Sequence, residues 1–276
     1  MGVLLPSDMC SITQVDEFLG LTPGNSDESK LLTLINGLSD YLEQLCSRQF
    51  GVQYISELRN GTGQHVMYVL NPPVQKGFAV HYLGSLLQMA LTDNDSGVIW
   101  DSESVSLRGG SSKGLFASRF PEGRQNVRLE YLSGWALPNQ TTNDWQSAHA
   151  YYPRATIKPT SNNAGGFIYE YQARRYGGSA SSASSRPQFN QTAGSVTADS
   201  GVAWTNLGVT TMPDVLPLMF QEACAEIVAT RYRQQSRWAD VSSGVGPERV
   251  SYFMGDMSAS TKAAVGIMTN VNPVLT

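Results

Sequence analysis

Hydrophobic residues recur at three- and four-residue intervals in two long stretches, one near each end of the chain. In the first stretch, 27–50, the apolar face consists of Leu31, Leu34, Ile35, Leu38, Tyr41, Leu42 and Leu45. The opposite side carries Asp40, Glu43 and Arg48 among other polar residues, so we expect it to face water. This spacing is typical of an amphipathic helix with one buried stripe, and it predicts a long helix over 27–50.

The second stretch begins at Pro213, because proline is favoured in the first turn of a helix. Pro217 would delay or bend its regular start. Its apolar stripe consists of Leu216, Met219, Phe220, Ala223, Cys224, Ile227 and Val228. We predict a helix to about Trp238 that packs on the first one, since each stripe needs a partner. A shorter helix is predicted over 12–19, after a capping box at Ser11 and Gln14 and before Gly20.

Short apolar runs between these stretches predict strands. Residues 55–59 and 66–70 flank Asn60-Gly-Thr-Gly63, which indicates a β-hairpin. Residues 127–131 alternate strictly between apolar and polar, as in a strand with one buried face. Further strand candidates are 78–83, 87–91, 97–100 and 105–107. We expect a small antiparallel sheet over 51–136.

The composition changes again at residue 140, where Thr, Ser, Asn, Gly and Tyr become frequent. Residues 140–209 are therefore interpreted as an inserted β module, while 1–139 and 210–276 form the core with an extended or partly helical tail. The predicted fold class is α+β, a helical bundle of two long helices and a short one, with a small antiparallel sheet and an inserted all-β module.

Aromatic residues are frequent in the insert: Tyr151, Tyr152, Tyr169, Tyr171, Tyr176 and Trp204. Rings offer flat apolar area with a polar edge, so Tyr169, Tyr171 and Trp204 could form a sugar-stacking surface. The alternative is that they form the core of a small β module. The sequence leaves both interpretations open.

Charge argues against several classes of function. Charged residues make up 15% of the chain and the formal net charge is −4, whereas an average soluble protein has roughly 25% charged residues. Sequence-specific nucleic-acid binding normally needs a basic surface. No apolar run approaches the roughly 20 residues that span a bilayer, and the first ten residues lack a signal-peptide pattern. We expect a soluble protein that is not exported.

Candidate chemistry is sparse. Cys10, Cys46 and Cys224 are far apart in sequence, and Cys46 and Cys224 are expected to be reduced core thiols. His65, His81 and His149 are each isolated from other metal-ligand types. The glycine-rich segment 109–114 lacks the spacing of a phosphate loop and is interpreted as a turn. The sequence therefore predicts no enzyme, no metal site and no cofactor.

The order of several segments resembles the head-tail adaptor (connector) proteins of tailed bacteriophages. The matching segments are the helix at 11–19, the helix ending Cys46-Ser-Arg-Gln-Phe50, Val69-Leu-Asn-Pro-Pro-Val74, the strand 127–131 running into Ser133-Gly-Trp135, and the helix from Pro213-Asp214 to Arg233. The resemblance covers roughly 10–136 and 210–255. It is carried by the order of these segments, since none is diagnostic by itself.

This resemblance implies a structural virion protein located in the neck, between the capsid portal and the tail, after assembly in the host cytoplasm. Its expected partners are copies of itself in a ring, commonly a dodecamer, the portal protein, the next neck or tail protein, and DNA that passes through without sequence specificity. No membrane partner is expected. A weakly acidic channel lining would agree with DNA sliding, because it would not grip phosphates.

Two further expectations concern accessory parts. The insert looks like small β modules of phage virion proteins, on the basis of Lys158-Pro-Thr160, Asn163, Gly166-Phe-Ile-Tyr169, Pro187, 194–199 and 201–204. In the tail, Arg249, Tyr252, Phe253 and Met254 are candidate portal-docking residues; the alternative is a strand packed on its own domain. A competing function is glycan or surface binding through the insert.

Overall fold

The computed structural model describes residues 4–22, 27–90, 96–109, 119–163, 165–172, 179–238 and 258–270. Four helices lie in this part of the chain: α1 (Ile12–Leu19), α2 (Glu28–Leu45), α3 (Leu218–Trp238) and α4 (Ala259–Asn270). The first half of the chain contributes seven strands: β1 (Gln53–Gly61), β2 (Val66–Tyr68), β3 (Val74–Tyr82), β4 (Ser85–Leu86), β5 (Gly97–Trp100), β6 (Ser104–Arg108) and β7 (Gly123–Ser133). The second half contributes β8 (Thr142–Asn143), β9 (Ala150–Tyr151), β10 (Thr156–Ile157), β11 (Tyr169–Tyr171), β12 (Ala180–Ser181), β13 (Val196–Asp199) and β14 (Val202–Asn206).

These strands form four sheets. The first has the order β1-β7-β3-β4, the second β13-β14-β11-β10-β8, the third β2-β6-β5, and the last pairs β12 with β9. All strand pairs are antiparallel except that of β8 with β10.

The predicted fold class is wrong, because sheets and not a helical bundle make up most of the molecule. Three of the four hydrophobic clusters are built from strands and the loops beside them. The helices are also shorter than predicted, since α2 ends at Leu45 and α3 begins only at Leu218, after Pro217. Tyr41 and Leu45, predicted for the buried stripe, are 37% and 43% exposed. The helices therefore form one layer beside the sheets.

One hydrophobic cluster joins that helical layer to non-helical segments. Ile35 and Leu42 of α2 share it with Phe220 and Ile227 of α3. Met9, Cys10, Phe50, Leu137 and Leu216, which lie outside the helices, complete it. The two long helices do pack in one core, but that core also depends on the segments that connect them to the sheets.

The capping box at α1 and the helical tail can be compared directly with the sequence. Ser11 caps α1 with Gln14, and Gly20 ends the helix with φ +70°, which confirms that prediction. The tail contains α4, whose start is held on α3 because Glu226 accepts hydrogen bonds from the Ser258 amide and hydroxyl at 3.0 and 2.7 Å.

The predicted hairpin between 55–59 and 66–70 is wrong. Strand β1 pairs along its length with β7, from Gln53 opposite Ser133 to Gly61 opposite Gly123, while β2 pairs with β6. The glycines of the predicted turn instead allow a close approach to residues 120–123. A Cβ atom at Gly61 would lie 1.8 Å from the Pro121 carbonyl oxygen. Local turn chemistry was therefore a poor guide, because these glycines serve a contact between distant segments.

Two clusters place the remaining sheets. The four-stranded and three-stranded sheets share a core that includes Val80, Leu129 and Tyr131 from one and Val98 and Val105 from the other. The five-stranded sheet lies within residues 142–206, and its own cluster lies within 145–204. A small cluster of Val52, Leu132, Ile168 and Leu207 connects it to the four-stranded sheet.

Candidate functional site

Four of the segments that carry the resemblance meet at one place, which we call the junction: 46–50, 69–74, 133–136 and 213–216. The Trp135 amide donates to the Phe50 carbonyl at 2.9 Å, and the Gly134 amide donates to the Pro73 carbonyl at 3.1 Å. The backbone of Ala136 then exchanges two hydrogen bonds with the last segment, to the Asp214 carbonyl and from the Leu216 amide, each at 2.9 Å. Main-chain hydrogen bonds thus join residues that are 61 to 85 positions apart in the sequence.

Arg48 occupies the centre of the junction. Its guanidinium carbon lies 5.0 Å from the centroid of the Phe50 ring and 5.3 Å from that of the Trp135 ring. One guanidinium nitrogen donates to the Pro72 carbonyl. A cation over an aromatic face is attracted by the ring quadrupole, and the attraction grows as water is excluded. Arg48 therefore attaches the end of α2 to the Pro72–Pro73 turn and to the segment after β7.

Burial is the main influence on this arginine. The residue is 7% exposed, and the loss of solvation lowers the pKa of Arg48 from its ordinary value. An arginine keeps its charge in proteins even so. The sequence prediction that Arg48 faces water is therefore wrong. The signal that could have identified it is the aromatic residue two positions later, next to a helix end.

Gly134 is required at the junction by close backbone approach. Its φ is +87°, and a Cβ atom there would lie 2.4 Å from the carbonyl oxygen of Gly51. Left-handed backbone favours glycine. A carbonyl oxygen of the same chain 2.4 Å from the Cβ position leaves no room for a side chain. This explains the glycine in Ser133-Gly-Trp135, whose role the sequence left unassigned.

A buried ion pair joins strand β11 to the loop between β9 and β10. Arg154 Nη1 lies 3.1 Å from Glu170 Oε1, and the two side chains are 9% and 0% exposed. Gln140 donates from Nε2 to the Arg154 carbonyl at 3.1 Å. Burial raises the pKa of Glu170 to about 7, while the attraction of Arg154 acts in the opposite direction. Glu170 thus changes charge near neutral pH, which gives this contact a pH dependence.

The candidate insert-surface residues Tyr169, Tyr171 and Trp204 are 0%, 7% and 0% exposed. Tyr169 packs its ring on Phe189 with centroids 4.8 Å apart, and Tyr171 packs on Trp204 at 6.1 Å. The structure therefore brings these three residues into one cluster but not to the surface. Their burial favours the module-core interpretation over a sugar-stacking surface.

Asp199 is the polar centre of that cluster, and the sequence analysis missed it. Its Oδ2 accepts hydrogen bonds from the indole nitrogens of Trp145 and Trp204, at 2.7 and 2.8 Å. Its Oδ1 accepts from the Ala183 amide at 2.8 Å. A buried carboxylate is stable when its oxygens receive several such bonds. The available signal was an aspartate five residues before a tryptophan in adjacent strand candidates.

The N-terminal segment and the inserted module border a cleft of about 470 Å³. Its lining includes Leu4, Pro6, Asn139, Asn143, His149 and Tyr152. Asn139 also donates to the Cys10 carbonyl at 3.0 Å, so the amide partly serves to hold the N-terminal segment. The cleft is the place where a ligand of the module could contact exposed rings and amides.

The remaining candidates give simpler outcomes. Arg249, Tyr252, Phe253 and Met254 lie outside the described residues, as do 110–114 of the glycine-rich segment. Within the part of the chain that is described, no group of three or more His, Cys, Asp or Glu could hold a metal ion, and no helix is long and apolar enough to cross a membrane.

All three cysteines are free and buried, which confirms the expectation of core thiols for Cys46 and Cys224. Burial raises the pKa of Cys46 to about 11. A hydrogen bond with Cys224, followed by burial, raises the pKa of Cys10. The thiols of Cys10 and Cys46 are therefore protonated and unreactive in the folded protein.

A scan against protein-family models finds no match for this chain, and a search of curated proteins finds none of significance.

Proposed function

We propose that this chain is a head-tail adaptor of a tailed bacteriophage, which forms a ring beneath the portal, extends the DNA channel and offers a docking surface to the next neck or tail protein. The observation that carries the proposal is the junction. Four segments singled out by their order in the sequence converge on Arg48, Gly134 and Ala136 through named contacts. Segments that serve one fold are expected to contact one another in this way. A chance similarity in the order of segments gives no reason for such contacts.

The step from fold to function rests on the resemblance, because a fold alone does not determine what a protein does. The weakly charged composition supports it, since a net charge of −4 suits a channel through which DNA slides. The proposed partners are the portal protein, the next neck or tail protein and further copies of this chain. The subunit number that the resemblance implies is twelve.

The competing function, glycan binding through the inserted module, has less support. The three rings on which it depended, Tyr169, Tyr171 and Trp204, are in the module core. A glycan array with the wild-type chain and with Tyr152→Ala, which alters the cleft, tests it directly. Binding that disappears with that substitution would favour this second function.

Mass photometry of the purified chain, alone and with portal protein, tests the main proposal. We expect a discrete multimer in at least one of these two samples. Its mass should be close to a multiple of 30.0 kDa, directly in the sample without portal and after subtraction of the portal mass in the other. A chain that remains monomeric in both samples would contradict the proposal.

A further inference from the structure

An exposed stripe runs along the outer side of α2. Thr33, Gly37, Tyr41 and Leu45 are spaced four residues apart and all four are exposed. Residues at this spacing are neighbours on a helix surface, so they form one continuous strip. We call these four residues the α2 stripe. It combines an aromatic ring and a leucine with a position that has no side chain.

No contact among the described residues explains the glycine at position 37. A Cβ atom there would have no neighbour within 4 Å, and the backbone is helical. Glycine inside a helix costs about 1 kcal/mol relative to alanine. A position that gives up this stability without an internal contact is suited to close approach of another molecule to the helix backbone.

A second exposed apolar surface lies at the turn between β3 and β4, residues 83–86, which we call the hairpin tip. Leu83 and Leu86 are 71% and 66% exposed. Leu83 and Gly84 have φ values of +48° and +84°, which is the pattern of a two-residue hairpin turn with left-handed backbone. Asn and Gly are preferred at such positions. A leucine that is both exposed and left-handed is disfavoured in the isolated chain, which indicates a partner for its side chain.

The hairpin tip continues onto one face of the four-stranded sheet. The strand register places Leu58 opposite Arg128, Arg128 opposite His81, and His81 opposite Leu86. Directly opposed residues share a face, so these side chains form a row. Leu58 is 57% exposed and the Arg128 side chain is 46% exposed. The surface thus presents leucines on either side of an arginine.

The two surfaces lie apart and differ in charge. The hairpin end of the sheet is six residue steps along β1 from the end at Gln53 that follows α2, which is roughly 20 Å. Residues 27–45 contain four carboxylates and one lysine: Asp27, Glu28, Asp40, Glu43 and Lys30. The hairpin end of the sheet contains four arginines and three glutamates: Arg59, Arg119, Arg124, Arg128, Glu57, Glu122 and Glu130. With Arg231 of α3 near Tyr41, the α2 region still has an excess of carboxylates, and the sheet end has an excess of one arginine. The two regions therefore attract each other when they belong to different copies.

We propose that the α2 stripe of one copy receives the hairpin tip of the next copy, so that a leucine pair packs over Gly37 and against Tyr41 and Leu45. This contact is head-to-tail, since it joins two different surfaces, and repeated contacts of this kind close into a ring when the rotation permits. The inference rests on the proposed ring and names the surfaces that form it. Portal protein is the alternative occupant that the tests must separate.

The most direct test fills the space over the helix. Gly37→Leu adds a side chain where the fold has open space, so the variant should keep or exceed the wild-type thermal stability. Gly266→Leu is the matched control, because it is also a helical glycine with no atom within 4 Å of its Cβ position. In mass photometry, under the condition in which the wild type assembles, we expect Gly37→Leu to remain at the monomer mass and Gly266→Leu to form the multimer.

Three results would overturn the inference in distinguishable ways. Multimers of Gly37→Leu equal to the wild type would reject this interface and leave the ring proposal intact. Normal multimers with loss of portal binding would assign the α2 stripe to the portal instead. A wild type that assembles in no condition would reject the ring and this interface together.

Cross-linking gives a second measurement, which does not require a substitution that blocks the interface. A chain carrying both Leu45→Cys and Leu83→Cys, treated with a flexible bismaleimide, should give a ladder of covalent multimers. A mixture of the two single variants should stop at dimers, and each single variant alone should give none. The native cysteines are buried and should not react in the folded chain. Dimers from a single variant would indicate a two-fold contact and would contradict the head-to-tail arrangement.

Discussion

Two buried charged residues, each among aromatic rings, hold different regions of the molecule in opposite ways. At the junction, the cation of Arg48 lies over the faces of Phe50 and Trp135. In the inserted module, the carboxylate of Asp199 accepts hydrogen bonds from the indole edges of Trp145 and Trp204. Ring faces are negative and ring edges are positive, so each charge contacts the complementary part of the rings.

The difference between these regions predicts different sensitivity to substitution. Asp199 accepts from two buried indole donors and from one partly buried amide, and the indole donors would otherwise be buried without partners. The rings around Arg48 do not donate hydrogen bonds to it. Removing Arg48 therefore loses the attraction between the cation and the rings and one hydrogen bond, but it leaves fewer polar groups unpaired. Buried donors without acceptors are the larger cost.

The largest effect is therefore expected for Asp199→Ala. Loss of the acceptor leaves three N–H groups unpaired, and we expect the free energy of unfolding to fall by about 4 kcal/mol. Asp199→Asn keeps one carbonyl oxygen and should cost about half as much. Urea unfolding followed by tryptophan fluorescence measures both, with Asp101→Ala at an exposed site as the control. A loss below about 1 kcal/mol for Asp199→Ala would show that the indole contacts do not stabilise the module.

The Arg154–Glu170 pair is a further buried charged site, and it has no ring partner among the contacts described. The stability of the fold should depend on pH through this pair. Burial raises the folded pKa of Glu170 to about 7, above the ordinary value of 4.5 for a glutamate. A carboxyl group with a raised pKa stabilises the fold below the unfolded pKa, and that contribution is lost as pH rises through the folded pKa. Relative to Glu170→Gln, the wild type should lose roughly 3 kcal/mol between pH 4.5 and pH 8. Glu222→Gln, at an exposed position, serves as the control.

Urea unfolding of the wild type and Glu170→Gln across that pH range measures the difference. Parallel stability curves would show that Arg154 keeps Glu170 ionised throughout, and that the pair makes a constant contribution within the module.

Arg48→Met should have a smaller effect, a loss of about 2 kcal/mol, because it keeps much of the buried volume but removes the cation and its hydrogen bond. Arg48→Lys should cost less, since it keeps the charge but not the planar contact with the rings. Thermal and urea unfolding would measure both losses. Equal losses for the two variants would contradict a role for the charge over the rings and would point to side-chain shape alone.

The smallest effect is expected at the hairpin tip. Leu83→Asn places a residue that tolerates left-handed backbone at φ +48°, so the isolated chain should gain about 0.5 kcal/mol. Leu86→Asn, on the adjacent strand, lacks that benefit and is the matched control. Differential scanning calorimetry of monomeric samples checks the gain. A loss of stability from Leu83→Asn would show that the leucine already has a partner within the chain.

The sequence pattern predicted the positions of helices and strands better than it predicted how they pair and pack. Helix α1 and strand β5 have the predicted bounds, because a capping box and a short apolar run between turn residues are local signals. The pairing of β1 with β7 was missed, since it joins residues more than 60 positions apart and no local turn indicates it. The helical bundle was wrong for a related reason. A periodic stripe indicates that a helix buries one face, but it does not indicate whether a helix or a sheet covers that face.

The buried charges show the same limit. Arg48 and Asp199 have polar side chains that sequence patterns assign to the surface, and rings distant in sequence, Trp135 and Trp145, contribute to making their burial favourable. Tyr41 and Leu45 show the converse, since their helical spacing predicts burial but no segment in the described part of the chain covers them fully. Both errors arise because burial depends on which distant segments meet.

The most direct test of the proposed function is electron microscopy of the isolated particle neck. The proposal predicts a ring of this chain directly below the portal, with the junction of each copy inside its own subunit and the α2 stripe against the hairpin tip of the neighbour. Density at that position from a different protein, with this chain elsewhere in the particle or missing from it, would contradict the proposal.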